Sequence, residues 1–194
     1  MCTYQKLLMK CTPEKHHRRS IRLKGWDYTS HGCYFVTIVA HERICWFDTP
    51  AVREVVEHEW AGLPNRFPTL GLDAFVVMPN HVHFIIWLNP PDVGAQTVVG
   101  AQFNCAPTNS TPLSPMGQRF QVHRERPTLG QVVRTFKAAT TRRIRQGHLD
   151  GFAWQRNYYE RVVRNERELQ AIRQYIHDNP ACWAEDIENP NRRP

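Results

Sequence analysis

The chain has no paired cysteine motif, no long apolar run and no acidic excess. Its six cysteines (Cys2, Cys11, Cys33, Cys45, Cys105 and Cys182) form no C-x-x-C pair and no cluster with zinc-ligand spacing. That spacing argues against a zinc ribbon or a disulfide framework, and reduced thiols in a cytoplasmic protein are the simplest account. No window approaches the ~20 apolar residues of a membrane span. The stretch from Met1 to Lys10 is not apolar enough for a signal peptide, so no membrane partner is expected. Acidic residues number 18 against 25 Lys and Arg, a formal net charge of +7. A basic excess of this size points to a polyanionic partner, most simply nucleic acid.

The 194 residues suffice for one well-buried domain and fall short of two. Basic residues crowd an amino-terminal arm over residues 1–24, where Lys15, Arg18, Arg19, Arg22 and Lys24 lie with His16 and His17 among them. They recur as Arg134, Lys137, Arg142, Arg143 and Arg145 in a helical stretch. Aromatic residues close to these segments, such as Trp26, Tyr28, Trp154, Tyr158 and Tyr159, are of the kind that stack on unpaired bases, although aromatics are also the commonest large core residues.

Composition divides the rest of the chain. Cys33 to Ala40 reads as a strand. A helix is predicted from Thr49 as N-cap and Pro50 as its first residue, with Val52, Val55, Val56 and Trp60 at helical spacing. Leu72 to Leu88 reads as two strands or one kinked strand around Pro79-Asn80. From about residue 89 to 127, Pro, Gly, Gln, Ser, Thr and Asn dominate without a period, the signature of a flexible insertion. Thr128 then caps a helix whose stripe is Leu129, Val132, Val133, Phe136 and Ile144. Phe152 to Val163 reads as a final strand. Glu166 to Asp178 follows as a helix with Leu169, Ile172 and Ile176 on one face, and Pro180 is expected to end it. The order strand, helix, strand, strand, helix, strand, helix describes an α+β, ferredoxin-like split βαβ sheet with an added C-terminal helix. One domain over 25–185, interrupted by the insertion, and a short tail at 186–194 complete the layout.

Within the second strand segment, His81 and His83 flank Val82. Strand side chains alternate, so both imidazoles share a face with Cα atoms about 7 Å apart, close enough to converge on one metal ion. The same pair can serve as a hydrogen-bonded structural element. On the last helix, Tyr175 and Asn179 stand four apart and share a face. A tyrosine hydroxyl is a possible nucleophile and a side-chain carbonyl a possible oxygen ligand.

Together with several further segments, this pattern resembles the one-tyrosine HUH transposases, in particular the REP-associated tyrosine transposase branch. His81-Val82-His83 matches the His-hydrophobic-His motif. Arg19 to Tyr28, Tyr34 to Ile38, Met78 to His83, Leu129 to Lys137, Trp154 to Glu160, and Tyr175-Ile176 with Asn179-Pro180 are similar to that branch. The resemblance spans about residues 18 to 185 apart from the insertion. It implies that His81, His83 and Asn179 bind Mg2+ or Mn2+, and that Tyr175 attacks a DNA phosphate to leave a 5′-phosphotyrosine and a free 3′-OH. It also implies a single-stranded or hairpin DNA substrate, with Arg18, Arg19, Arg22, Lys24, Arg134 and Lys137 as DNA contacts, in a monomer or homodimer. Some related transposases carry Gln, one methylene longer, in place of Asn179, which makes that ligand the least secure. The competing readings are a metal-dependent hydrolase, for which no further ligand motif is found, and a non-catalytic or domesticated nucleic-acid-binding protein of the same fold.

Overall fold

The computed structural model describes residues 31–88, 126–147 and 149–192. The basic arm with Arg18, Arg19, Arg22 and Lys24, and nearly all of segment 89–127, lie outside the described residues.

β-Branched and aromatic residues set the sheet. Gly32–Val39 forms β1, buried on both faces. Leu70–Val77 (β2) and His81–Leu88 (β3) pair antiparallel as a hairpin, with one register shift between Leu72 and Phe75. Pro79 and Asn80 make its two-residue loop, closed by the Met78 amide donating to the His81 carbonyl at 2.8 Å. Tyr159–Val163 is β4. The strand order is β2-β3-β1-β4 with every neighbour antiparallel, the α+β sheet that the element order predicts.

The helices begin where their caps are written. Pro50–Ala61 (α1) starts after Thr49 with Pro50 in its first turn, and Leu63–Arg66 (α2) adds one turn. Leu129–Gln146 (α3) opens with a reciprocal capping box: the Gln131 amide donates to Thr128 Oγ1 and the Thr128 amide donates to Gln131 Oε1. Glu166–Asp178 (α4) is capped by Asn165, whose Oδ1 accepts from the Glu168 amide.

Alternation along β1 and β3 sorts the core into two layers. Tyr34, Val36, Ile38, Phe84 and Ile86 face α1 and α3, meeting Val56, Val133 and Phe136. Cys33, Phe35, Ile85 and Val163 face α4 and its Leu169, Ile172 and Ile176. Each fully buried side chain of this size contributes about 1.5–3 kcal/mol relative to exposure. With both faces covered, β3 reads as an unbroken apolar run except for its two histidines.

Two details depart from the sequence expectation. The final strand is shorter than Phe152 to Val163, because Phe152 and Trp154 turn into the core beside Phe47, with ring centroids 5.9 and 5.2 Å away. Among the described residues, one isolated bridge, Ala40 to Trp154, precedes β4. These aromatics obtain their burial from a loop rather than a ladder. The last α-helix does end at Asp178 as expected, but not because the residue before Pro180 leaves the helical region. Asn179 keeps helical dihedrals (φ −56°, ψ −43°), and the chain continues as a 3-10 helix over Asn179–Glu185. Pro180 lies in the first turn of that helix, where its missing N–H is not needed.

Candidate active site

Strand period places His81 and His83 on the α4 side of the sheet, with Val82 turned to the other layer. Thr37 on β1 stands directly across from His83. Both rings are buried, and their Nε2 atoms face each other at 2.9 Å. The outer nitrogens have partners as well: His81 Nδ1 lies 2.8 Å from Asn80 Oδ1, and His83 Nδ1 lies 2.8 Å from Thr37 Oγ1. Phe35 stacks on His83 at 5.5 Å.

Burial dominates the electrostatics. It pushes the His81 imidazole down to about 3, and it drives His83 well below the ordinary histidine range, helped by the charge His81 would carry. Both rings are therefore neutral at pH 7 and offer lone pairs. Asp186 Oδ2 is 3.9 Å from His81 Nε2, but with the imidazole uncharged this contact is no ion pair. Burial raises the Asp186 carboxyl. One donor atom from each of His81, His83 and Asp186 lies within 4.8 Å of the others.

Helix α4 carries the remaining groups. Its apolar stripe docks on the sheet, and Arg173 anchors it to β2: Nε and Nη2 donate to Asp73 Oδ1 and Oδ2 at 2.8 and 2.6 Å. That clamp lies half a turn before Tyr175, whose Oη comes within 3.4 Å of His83 Nε2. The Tyr175 ring meets Phe35 and His83 edge-on at 6.0 and 5.3 Å. One turn further on, Asn179 is buried, and its Oδ1 has no hydrogen-bond partner. An orphaned buried oxygen is the kind of atom that a cation satisfies. The two neutral imidazoles and the Asp186 carboxyl are a donor set that suits a divalent ion.

His81, His83 and Tyr175 are thus brought together, and Asn179 follows one turn after Tyr175 at the end of α4. Asp186 is the member that sequence reasoning missed. It falls in the stretch assigned to the tail, in a context without apolar period or ligand spacing. Yet it is buried beside His81, and its neighbour Glu188 accepts from Arg43 Nε at 2.6 Å.

Arg134 and Lys137 lie elsewhere. They project from α3, in the opposite layer from the histidines, into a cleft of about 730 Å³ also lined by Arg142, Arg145, Trp154, Arg156 and Tyr158. Among the described residues, no acidic side chain lines it. Lys137 Nζ donates to the carbonyls of Gln155 and Arg156, and burial lowers its ammonium to about 8, so it stays largely charged at pH 7. Adjacent tyrosines mark the two layers: Tyr158 lines this cleft, whereas Tyr159 packs on Phe35 near Tyr175. No described helix is long and apolar enough to cross a membrane.

No family model matches the chain. An uncharacterized protein of Haemophilus influenzae is 34% identical over 179 residues, covering 88% of this chain and 92% of that protein. Among solved structures, the REP-associated tyrosine transposase bound to a REP hairpin aligns with a TM-score of 0.51 at 19% identity, covering 86% of this chain and 73% of that one. A candidate transposase from Deinococcus radiodurans R1 aligns with a TM-score of 0.39 at 18% identity, covering 81% of this chain and 97% of that one. The chain therefore belongs to the same family as the Haemophilus influenzae protein, and it has the fold of the REP-associated tyrosine transposase.

Proposed function

We propose that the protein nicks and rejoins single-stranded DNA through a covalent 5′-phosphotyrosine, acting as a transposase on hairpin or palindromic repeat DNA with Mg2+ or Mn2+. One observation carries the reading: Tyr175 Oη stands 3.4 Å from His83 Nε2, whose ring turns the same nitrogen toward His81. The shared fold with a tyrosine transposase bound to a REP hairpin supports it.

His81, His83 and Asp186 would hold the ion, with Asn179 Oδ1 as a further oxygen donor. Mixed nitrogen and oxygen ligands suit Mn2+ at least as well as Mg2+. When bound, a divalent cation withdraws charge from a scissile phosphate and stabilises the departing 3′ oxygen. Tyr175 Oη attacks phosphorus, the bond to the 3′ oxygen breaks, and the phenolic proton balances the new 3′-OH. The phosphodiester linkage energy is kept in the Tyr175–DNA bond, so rejoining needs no ATP. Arg134 and Lys137, with Arg18, Arg19, Arg22 and Lys24 from the arm, bind the DNA backbone.

The test is a denaturing gel of labelled single-stranded hairpin DNA incubated with protein and Mn2+. A covalent band is expected from wild type, Tyr158→Phe and Tyr159→Phe, and none from Tyr175→Phe or from the double change of His81 and His83 to Ala. An adduct formed by Tyr175→Phe would refute the assignment. The variant should fold, because it keeps the ring contacts with Phe35 and His83 and removes a single hydroxyl.

A further inference from the structure

Asn80 is fully buried in the loop that joins β2 to β3. Its Nδ2 donates to two main-chain carbonyls, Arg43 O at 3.0 Å and Glu188 O at 2.7 Å. Neither acceptor has a proton to give, so the amide must point its nitrogen toward them and its oxygen away. That oxygen faces His81 Nδ1 at 2.8 Å. An amide oxygen only accepts, so the ring proton of His81 belongs on Nδ1. Nε2 is left as a bare lone pair aimed at His83 Nε2.

The surroundings hold the amide in that orientation. Glu42 and Arg43 have φ of 57° and 56°, a left-handed conformation that residues other than glycine seldom adopt. This turn supplies the Arg43 carbonyl, while the Arg43 side chain grips Glu188. The Asn80 carbonyl is itself fixed by the Ala40 amide at 2.7 Å. His83 is treated differently. Its Nδ1 meets the Thr37 hydroxyl, which both donates and accepts, so His83 is able to carry its proton on either nitrogen.

We propose that Asn80 is a positioning residue that locks His81 in the Nδ1–H tautomer, whereas Thr37 leaves His83 free to change. In the metal-free protein, His83 Nε2–H donates to His81 Nε2 and His83 Nδ1 accepts from Thr37. A ligating His83 carries its proton on Nδ1 and donates it to Thr37 Oγ1. One ligand is thus preset and the other adapts. The inference rests on the metal-dependent reading above and adds the device that prepares it, since outer partners of this kind orient ligands and fix their tautomer.

Protein labelled with 15N at histidine, in EDTA at neutral pH, reads the tautomers by long-range 1H–15N spectra without any ion. His81 is expected as a single Nδ1–H form; an Nε2–H or averaged signal from the wild type overturns the proposal and needs no variant. Asn80→Ala should bring His81 to an averaged signal and weaken Mn2+ binding, followed by electron paramagnetic resonance of free Mn2+, roughly 10- to 100-fold. An unchanged His81 spectrum in that variant overturns the proposal, and so does an unchanged Mn2+ affinity beside an altered spectrum. A wild type that takes up no Mn2+ refutes the metal reading instead, while the spectra in EDTA still decide the role of Asn80.

Discussion

Replacing Asp73 with Ala should loosen α4 from the sheet and lower stability by about 2 kcal/mol. The carboxylate accepts from Arg173 Nε and Nη2 and from Trp87 Nε1, the last at 3.0 Å. Hydrogen bonds to charged groups contribute about 1.5–3 kcal/mol, and breaking a buried pair costs about 3–5 kcal/mol. The lower figure applies because the Arg173 side chain is 36% exposed, so water can rehydrate it, and Glu166 Oε1 waits 3.9 Å away. For a chain of this size the melting temperature should drop by roughly 4–8 °C. Burial pushes the Asp73 carboxyl up, but the hydrogen bonds from Arg173 and Trp87 outweigh it and hold the group below the ordinary carboxylate range. A depressed folded value means that the stabilisation is complete at pH 7 and is lost as pH falls below about 4. Urea denaturation of wild type and variant at a series of pH values checks both points. Arg173 precedes Tyr175 by two residues, so adduct formation should slow more than DNA binding weakens. A difference below about 0.5 kcal/mol at pH 7, or one that grows on acidification, would refute the reasoning.

Other consequences follow from the same geometry. In EDTA, the unfolded chain takes up protons at both histidines below about pH 6.5 while the folded chain resists, so stability should fall by up to about 2.7 kcal/mol per pH unit there. A variant with His81→Asn and His83→Gln should lose that slope, and equal acid slopes would refute it. Neutralising Arg134, Arg142 and Arg156 should reduce the dependence of single-stranded DNA binding on log salt by roughly 0.7 for each phosphate contact removed; filter binding across a salt series shows whether the slope is unchanged, which would place the DNA elsewhere. Asn179→Ala should raise the Mn2+ concentration needed for nicking while changing stability little, because its Oδ1 forms no hydrogen bond. A marked loss of thermal stability with normal Mn2+ dependence would make Asn179 a structural residue only.

Local signals carried the element order. Thr49-Pro50, the Thr128 and Gln131 pair, and Asn165 mark helix starts within a few residues; Thr128 and Asn165 cap through hydrogen bonds inside their own turn, whereas Thr49 makes no side-chain cap and Pro50 marks that start by its fixed φ. The His81 and His83 pair was legible because strand period needs only two residues to reveal a shared face. Asn80 and Asp186 were not, because their partners are remote in sequence; the Asn80 bond to the Glu188 carbonyl spans 108 positions. Such a contact leaves no periodic or compositional trace in either segment. Phe152 and Trp154 misled for a related reason: aromatic richness signals burial, and only the tertiary arrangement decides whether a ladder or a loop delivers it.

Because β3 lies between β2 and β1, a ligand seated on its histidines is coupled to the middle of the sheet and not to a fraying edge. A cation bound by the folded form alone stabilises it by about 2.7 kcal/mol at a hundredfold excess over Kd. That energy would appear in the slowest-exchanging amides of β1 and β3 as well as around the site, since those amides open only with the whole fold. Metal occupancy would then govern how long the entire protein survives heat or proteolysis, which ties its abundance in a cell to the supply of the ion.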